Sequence, residues 1–156
     1  AMMTQRPSQV CGIHFFNPAP AMSLVEIIRP LTASDETINA AASFVEACGK
    51  NAVHVEDRAG FIVNALLFPY LNNAVRMLQN GTASMDDIDA AMIGGCNFPM
   101  GPFALLDLVG LDTSVSILDA LYAEFSDANY AAVPLLRRMV AAGHLGRKTK
   151  QGFRTY

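Results

Sequence analysis

The sequence has few cysteines, few charged residues and no excess of positive charge. Its cysteines, Cys11, Cys48 and Cys96, are an odd number without CxxC spacing, which argues against a disulfide framework and against a zinc site. Eleven Lys and Arg residues stand against fourteen Asp and Glu residues, for a net charge of −3, so no basic surface is expected to attract nucleic acid. We therefore predict no metal, no nucleic-acid partner and a reducing, cytoplasmic location.

Long hydrophobic runs are also missing. The longest stretches without charge, residues 59–75 and 90–106, are interrupted by asparagine, proline or glycine. Both are shorter than the ~20 mostly apolar residues that a membrane-spanning helix needs. The first residues lack the apolar stretch of a signal peptide. We therefore predict no membrane segment and no export signal, and we interpret both stretches as buried helices.

What the sequence does have is the apolar character of a folded domain. It contains 156 residues, of which 52% are hydrophobic and 16% charged, and this balance argues against disorder. The length predicts one compact domain or a piece of a larger protein. The hydrophobic excess predicts a large buried surface, part of which a partner can cover.

Hydrophobic periodicity places short strands in the first third of the chain and helices after them. Strands are predicted at residues 10–16, 23–28 and 51–55, and a helix between the last two is capped by Thr32 or Ser34 and stops at Gly49. Further helices are predicted at residues 61–78, 85–93, 103–109, 113–125 and 132–142. Because two or three strands make a poor sheet alone, the predicted fold class is mainly α, with strands that complete a sheet upstream of residue 1.

His14 and Glu26 form a candidate acid–base pair. His14 ends an apolar strand beside a proline-rich loop, and Glu26 interrupts the next apolar strand. A buried carboxylate needs a partner. If the loop brings the strands side by side, Glu26 can bind one ring nitrogen of His14 and leave the other to take a proton. The alternative, which the spacing alone favours, is an exposed Glu26 and a core His14 bonded to a backbone carbonyl.

Two further places stand out on the helical side. Asn64 lies in the first turn of an apolar helix, where asparagine is a poor helix former, so it either orients a substrate oxygen or the histidine, or bonds to the preceding loop. The segment 143–153 holds three cations and three glycines but lacks the GxxxxGK[ST] spacing of a phosphate loop. It is either a solvated tail or a flexible basic segment that approaches an anionic cofactor.

Seven short motifs follow one another along nearly the whole chain, from about residue 10 to residue 156. They are His14-Phe15-Phe16-Asn17-Pro18, Leu24-Val25-Glu26, Gly60-Phe61-Ile62-Val63-Asn64, Asp86-Asp87-Ile88-Asp89, Pro99-Met100-Gly101-Pro102-Phe103, Leu106-Asp107 through Gly110-Leu111-Asp112, and Lys148-Thr149 before Gly152-Phe153. Each motif alone is weak. In this order, the set resembles the C-terminal part of the L-3-hydroxyacyl-CoA dehydrogenase family, which includes bacterial 3-hydroxybutyryl-CoA dehydrogenases.

The resemblance implies an NAD-dependent oxidoreductase that interconverts a (3S)-3-hydroxyacyl-CoA and a 3-ketoacyl-CoA in fatty acid or butanoate metabolism. His14 matches the family's general base, Glu26 its carboxylate partner and Asn64 its active-site asparagine. Asn17 and Lys148 match positions near the nicotinamide end of the cofactor. The resemblance thus favours the histidine–carboxylate pair over its alternative, and it implies an acyl-CoA substrate and a homodimer.

The resemblance also gives a domain organisation. Residues 1–57 correspond to the terminal strands and one helix of a truncated Rossmann-type nucleotide-binding domain, and residues 58–156 to the helical substrate and dimerisation domain. No GxGxxG turn occurs in the chain, although Rossmann folds bind the cofactor pyrophosphate with one. We therefore expect the main NAD-binding fold to be absent, and these 156 residues to be inactive on their own.

Two other functions stay open. One is a freestanding dimerisation module that has lost catalysis. The other is a dehydrogenase of a related 3-hydroxy acid that carries no coenzyme A. The motif at residues 99–103 favours the CoA-linked branch of the family, by resemblance only, and an assay of several substrates distinguishes the three functions.

Overall fold

The computed structural model describes residues 1–156, and they form two compact units. The first, Ala1–Ile62, contains three strands and one α-helix, and the second, Val63–Tyr156, contains five α-helices. None of the helices combines the length and the apolar character that crossing a bilayer requires. Short 3-10 turns lie at Pro7–Gln9, Ala128–Tyr130 and Arg147–Thr149.

The first unit is built on a three-stranded mixed sheet. Its strands β1 (Gly12–Phe15), β2 (Leu24–Arg29) and β3 (Asn51–Glu56) lie in the order β1-β2-β3. β1 pairs antiparallel with β2, and β2 pairs parallel with β3. A parallel pair needs a crossover connection, which helix α1 (Asp35–Ala47) supplies after its N-cap, Ser34.

Helix α1 gives the first unit a hydrophobic core of its own. Val25 and Ile27 on β2 have no exposed surface. They pack against the apolar stripe of α1, which consists of Ile38, Ala41 and Val45. The stripe shows the spacing of three and four residues that brings side chains onto one helix face, so the helix and the sheet bury each other.

The prediction of a mainly α fold with a few terminal strands is wrong. The first 62 residues form a separate α/β unit. The prediction rested on the low stability of two or three strands alone, and it gave too little weight to α1. Because the helix covers the sheet, the strands belong to a layered α/β structure.

The second unit contains the predicted helices with shifted ends. Helix α2 begins at Val63 rather than at residue 61, because Gly60 and Phe61 have φ angles of 76° and 49°, which a right-handed helix does not contain. The helices are α2 (Val63–Gln79), α3 (Met85–Cys96), α4 (Pro102–Val109), α5 (Leu111–Phe125) and α6 (Pro134–Ala141).

A buried asparagine connects α2 to the segment before α6. Asn72 has no exposed surface. Its Oδ1 accepts a hydrogen bond from the amide of Val133 at 3.0 Å, and its Nδ2 donates to the carbonyl of Ala131 at 2.9 Å. A buried polar group that lacks a partner costs about 1–3 kcal/mol. These bonds therefore explain how the core of the helical unit accommodates an asparagine.

Candidate active site

His14 and Glu26 lie opposite each other on neighbouring strands. In the antiparallel ladder of β1 and β2, His14 is paired with Glu26, and its Nδ1 atom lies 2.7 Å from Oε2 of the carboxylate. The Glu26 side chain has no exposed surface, whereas that of His14 is 31% exposed. The two side chains therefore form a hydrogen-bonded pair, and the burial of the carboxylate excludes the alternative of an exposed Glu26.

The second oxygen of Glu26 is bound by the backbone. The amide of Ile62 donates a hydrogen bond to Oε1 at 3.0 Å. A carboxylate can remain charged inside a protein when its oxygens are hydrogen-bonded. Glu26 then holds the imidazole of His14 with its Nδ1–H toward the carboxylate, and Nε2 is the ring nitrogen that can exchange a proton.

Two phenylalanine rings contact the imidazole of His14. The ring centroid of Phe16 lies 4.7 Å from that of the imidazole with the planes tilted by 51°, and the centroid of Phe61 lies 5.5 Å away with a tilt of 55°. Sequence reasoning missed both rings, because phenylalanine in an apolar motif is usually a core residue. The left-handed backbone of Phe61 also left no signal in the sequence.

Asn17 lies in the loop that follows β1. Its side chain is exposed, and its peptide bond to Pro18 is cis. Lys50 holds this loop, because its ammonium group donates hydrogen bonds to the carbonyls of Ala19 at 2.7 Å and Met22 at 2.9 Å. Asn17 is thus three positions from His14 on a loop that is bonded to the start of β3.

The other two predicted site residues belong to the helical unit. Asn64 is half-buried in the first turn of α2. The ammonium of Lys148 donates to both carboxylate oxygens of Asp112, at 2.5 and 2.6 Å. This hydrogen bond is the main reason that the pKa of Asp112 lies below its usual value. The structure therefore joins His14 to Glu26, and it pairs Lys148 with a carboxylate that was not predicted.

A buried carboxylate on α4 holds the end of the chain. Asp107 is 1% exposed, and it accepts hydrogen bonds from the amides of Phe153 and Arg154, each at 2.8 Å, and from the Tyr156 hydroxyl at 3.1 Å. The sequence offered a signal for this role, since an aspartate inside an apolar helix needs partners. The segment 143–153 is therefore bonded to α4 rather than being a free tail.

A second buried carboxylate explains the rigid motif at residues 99–103. Asp89 is 6% exposed, and it accepts from the amide of Phe103 at 2.8 Å and from the Arg154 guanidinium at 3.0 Å. A Cβ atom at Gly101 would lie only 2.3 Å from this carboxylate, so glycine is needed there. The bond to Asp89 is also the main cause of the raised pKa of Arg154, to which Asp86 adds.

The chemistry that this arrangement supports is the transfer of a single proton. Nε2 of His14 can accept a proton while the carboxylate of Glu26 stabilises the imidazolium that forms. No group of three or more His, Cys, Asp or Glu side chains is placed to hold a metal ion. The exposed amide of Asn17, three positions from His14 in sequence, can donate and accept hydrogen bonds.

Comparison with known families assigns both parts of the chain. Residues 60–156 match the C-terminal domain of 3-hydroxyacyl-CoA dehydrogenase, and residues 1–58 match its NAD binding domain. The expectation that the NAD-binding fold is absent is therefore wrong. It relied on the missing GxGxxG turn, which is only one element of such a domain, and the strands and helix of the first unit carry the match instead.

Individual relatives resemble the chain over its full length. The 3-hydroxybutyryl-CoA dehydrogenase of Mycobacterium tuberculosis (strain ATCC 25618 / H37Rv) is 46% identical over 157 residues, which cover 100% of this chain and 55% of the relative. The crystal structure of M. tuberculosis FadB2 matches with a TM-score of 0.98 and 46% identity, over 99% of this chain and 55% of that one. The crystal structure of (S)-3-hydroxybutyryl-CoA dehydrogenase PaaH1 from Ralstonia eutropha matches with a TM-score of 0.97 and 46% identity. The match covers 99% of this chain and 55% of that one. The chain thus spans about half the length of the curated relatives it matches.

Proposed function

Since this chain belongs to the 3-hydroxyacyl-CoA dehydrogenase family, we propose that it carries the proton-transfer site of an NAD-dependent enzyme that interconverts (3S)-3-hydroxyacyl-CoA and 3-ketoacyl-CoA. The observation that supports this most strongly is the bond between the half-buried His14 and the fully buried Glu26. A histidine held by a carboxylate in this way can act as a general base that removes a hydroxyl proton. A role in fatty acid or butanoate metabolism is part of the proposal.

His14 acts as the general base in the oxidative direction. Its Nε2 accepts the proton of the substrate 3-hydroxyl group, and in the reductive direction it returns that proton to the oxygen of the 3-keto group. The carboxylate of Glu26 stabilises the positive imidazolium that exists between these events. Asn64, on the first turn of α2, is proposed to orient the same substrate oxygen through its side-chain amide.

When bound, NAD would provide the hydride acceptor of this reaction. Asn17 and Lys148 are the residues that we propose for its nicotinamide end. Asn17 offers an exposed amide on the loop after β1, and Lys148 offers a half-exposed ammonium whose present partner is Asp112. An exposed ion pair contributes little to stability, so exchange of Asp112 for a cofactor group costs little.

A homodimer in a reducing compartment such as the cytoplasm completes the proposal. All three cysteines are free, as in proteins of reducing compartments.

The helical unit exposes several large apolar side chains, of which Leu66 is 72% exposed, and such side chains suit an interface. Sedimentation measures the mass of the particle, and Leu66→Glu is expected to shift a dimer toward monomers. A wild-type chain that stays monomeric at high concentration would contradict this part of the proposal.

The central test is a change in NADH absorbance with acetoacetyl-CoA as substrate. Because the chain spans about half of its relatives, it is assayed both alone and joined to the part of the M. tuberculosis enzyme that it does not match. In the active form, His14→Ala is expected to lower kcat by about 10²–10⁴-fold, the usual contribution of a general base. Exposed His54→Ala is the matched control. Full turnover without the His14 imidazole would remove it as the base.

The same assay addresses what the sequence left open. The inactivity of these 156 residues alone stays a prediction, and turnover by the isolated chain would contradict it. Turnover of acetoacetyl-CoA but not of free 3-keto acids would exclude a dehydrogenase of acids without coenzyme A. Absence of any turnover in the joined protein, with a dimer still formed, would favour the non-catalytic dimerisation module.

A further inference from the structure

One of the two rings beside His14 belongs to a residue with an unfavourable backbone conformation. Phe61, whose ring contacts the imidazole, has a φ angle of 49°. For a residue other than glycine this left-handed conformation costs about 1–2 kcal/mol. Unfavourable backbone conformations persist only where surrounding bonds hold them. The conformation of Phe61 is therefore held by the hydrogen bonds on either side of it.

Those bonds lead to the carboxylate that also binds the base. The amide of Phe61 donates to the carbonyl of Arg58 at 3.1 Å, and the amide of the next residue, Ile62, donates to Oε1 of Glu26 at 3.0 Å. The other oxygen of Glu26 binds Nδ1 of His14. One buried carboxylate thus fixes both the imidazole and the turn that places a ring against it.

We propose that Phe61, together with Phe16, is a positioning residue that keeps the His14 imidazole in the single orientation in which Nδ1–H points to Glu26. The proposal rests on the proposed function, in which His14 is the base. A rotation of the imidazole about its bond to Cβ would turn Nδ1 away from the carboxylate and move Nε2 as well. The two rings, with centroids 4.7 and 5.5 Å away, stand in the way of that rotation.

The rings also suit the charged form of the base. Aromatic faces attract a cation that lies within about 6 Å of the ring centroid, and both rings are inside that distance. When His14 takes a proton, the carboxylate of Glu26 and both rings lie close to the positive charge. Both rings contact His14, and we expect their effect on turnover to pass through it.

The matched variants are Phe61→Asn and Phe61→Tyr. Asparagine tolerates the left-handed backbone better than most residues, so Phe61→Asn removes the ring and keeps the turn, whereas tyrosine keeps the ring. The nitrogen chemical shifts of the imidazole, measured by NMR on the full chain, report the tautomer. We expect one Nδ1–H tautomer in the wild type and in Phe61→Tyr, and a mixture of both tautomers in Phe61→Asn. Phe44→Leu, on the exposed side of α1, is the control that should change nothing.

Turnover of the joined protein provides the second readout. Misplacement of a catalytic group by about 1 Å can lower the rate about 10²-fold. We therefore expect Phe61→Asn to lower kcat by about 10–100-fold with little change in KM. Phe61→Tyr, which keeps the ring, should have the kcat of the wild type. If Phe61→Asn does not fold, Phe16→Leu takes its place, because Phe16 directly follows β1 and has no left-handed backbone.

A single, unchanged tautomer in a folded variant without one of the rings would overturn the proposal. So would a tautomer mixture with unaffected kcat, since the rings would then be irrelevant to the reaction. These results differ from failure of the proposed function, in which His14→Ala leaves turnover intact. The NMR measurement does not depend on turnover, so it tests the orientation of His14 in either case.

Discussion

His14 and Glu26 are cross-strand partners in the β1–β2 ladder, so backbone pairing sets the distance between the two side chains. Side chains alternate between the faces of a sheet, and a shift of the register by one residue would send one of the two to the opposite face. The proton-transfer pair is therefore fixed by the same hydrogen bonds that form the sheet. A histidine on a loop would not have this support.

Two replacements of Glu26 should distinguish its effect on the tautomer of His14 from its effect on the free energy of unfolding. Glu26→Gln keeps an oxygen for the Ile62 amide but can present an NH2 group to Nδ1 of His14, which would move the proton to Nε2. We expect a free energy of unfolding within about 1 kcal/mol of the wild type and a kcat about 10²-fold lower. Glu26→Ala removes both bonds and should lower the free energy of unfolding by about 2–3 kcal/mol. Denaturation by urea and NADH absorbance measure the two effects.

Exposed Glu46→Gln on α1 is the control for this pair of variants, and it should behave as the wild type in both measurements. Wild-type turnover in Glu26→Gln would mean that the base needs no carboxylate partner. Equal unfolding free energies for Glu26→Ala and the wild type would mean that the bonds to His14 and Ile62 contribute nothing to folding.

Removal of the Asp107 carboxylate should release the end of the chain from α4. Asp107→Ala leaves the amides of Phe153 and Arg154 without their acceptor, and we expect a loss of about 2–3 kcal/mol in the free energy of unfolding. Hydrogen exchange at these two amides should become faster. Asp119→Ala, which removes an exposed ion pair with Arg137, should cost less than about 1 kcal/mol. Unchanged exchange at Phe153 and Arg154 would contradict the role of Asp107.

Two glycines with positive φ angles should respond differently to alanine. Gly146 has a φ of 95°, and a Cβ there would lie 2.3 Å from the carbonyl oxygen of Asp107; Gly143 has a φ of 77° with nothing within 4 Å. Gly143→Ala should therefore cost only the backbone term of about 1 kcal/mol, whereas Gly146→Ala adds a clash and should cost at least about 2 kcal/mol. Thermal unfolding measures both, and equal losses would exclude the close approach.

The ion pair of Lys148 and Asp112 should be visible in acid titration. The pKa of Asp112 is lowered in the folded protein, chiefly by its hydrogen bond to Lys148. The resulting stabilisation is present above the unfolded pKa and is lost as the pH falls through the lower folded pKa. Because both side chains are more than a third exposed, it should amount to less than about 1 kcal/mol. Carboxyl NMR should show the Asp112 titration at higher pH in Lys148→Met, and identical curves would contradict the pairing.

Most of the secondary structure could be predicted from the sequence, because strong patterns carry it. The apolar stripe of α1 and its N-cap Ser34 have clear signatures. The bond between His14 and Glu26 was one of two alternatives that the residues left open, and only the family resemblance favoured it over an exposed Glu26. The α/β character of the first unit could not be predicted, because it depends on the packing of α1 against the sheet and not on the number of strands.

The rest of the site depends on groups that leave no trace in the sequence. The donor at Ile62 is a backbone amide, which every residue except proline has. The ring of Phe61 reaches His14 because its backbone is left-handed, and phenylalanine does not signal that conformation. Asp107 differs from these, because an acidic residue among the apolar residues of α4 was a readable signal.

The hydrogen bonds of Asp107 to Phe153, Arg154 and Tyr156 determine where a label should be attached to the protein. Trimming these residues would leave the buried carboxylate of Asp107 without its three donors. An affinity label or fluorophore fused at Tyr156 would be attached to one of the donors of the same carboxylate. For immobilisation or labelling, attachment near the exposed Met2 and Met3 leaves the three donors of Asp107 unmodified.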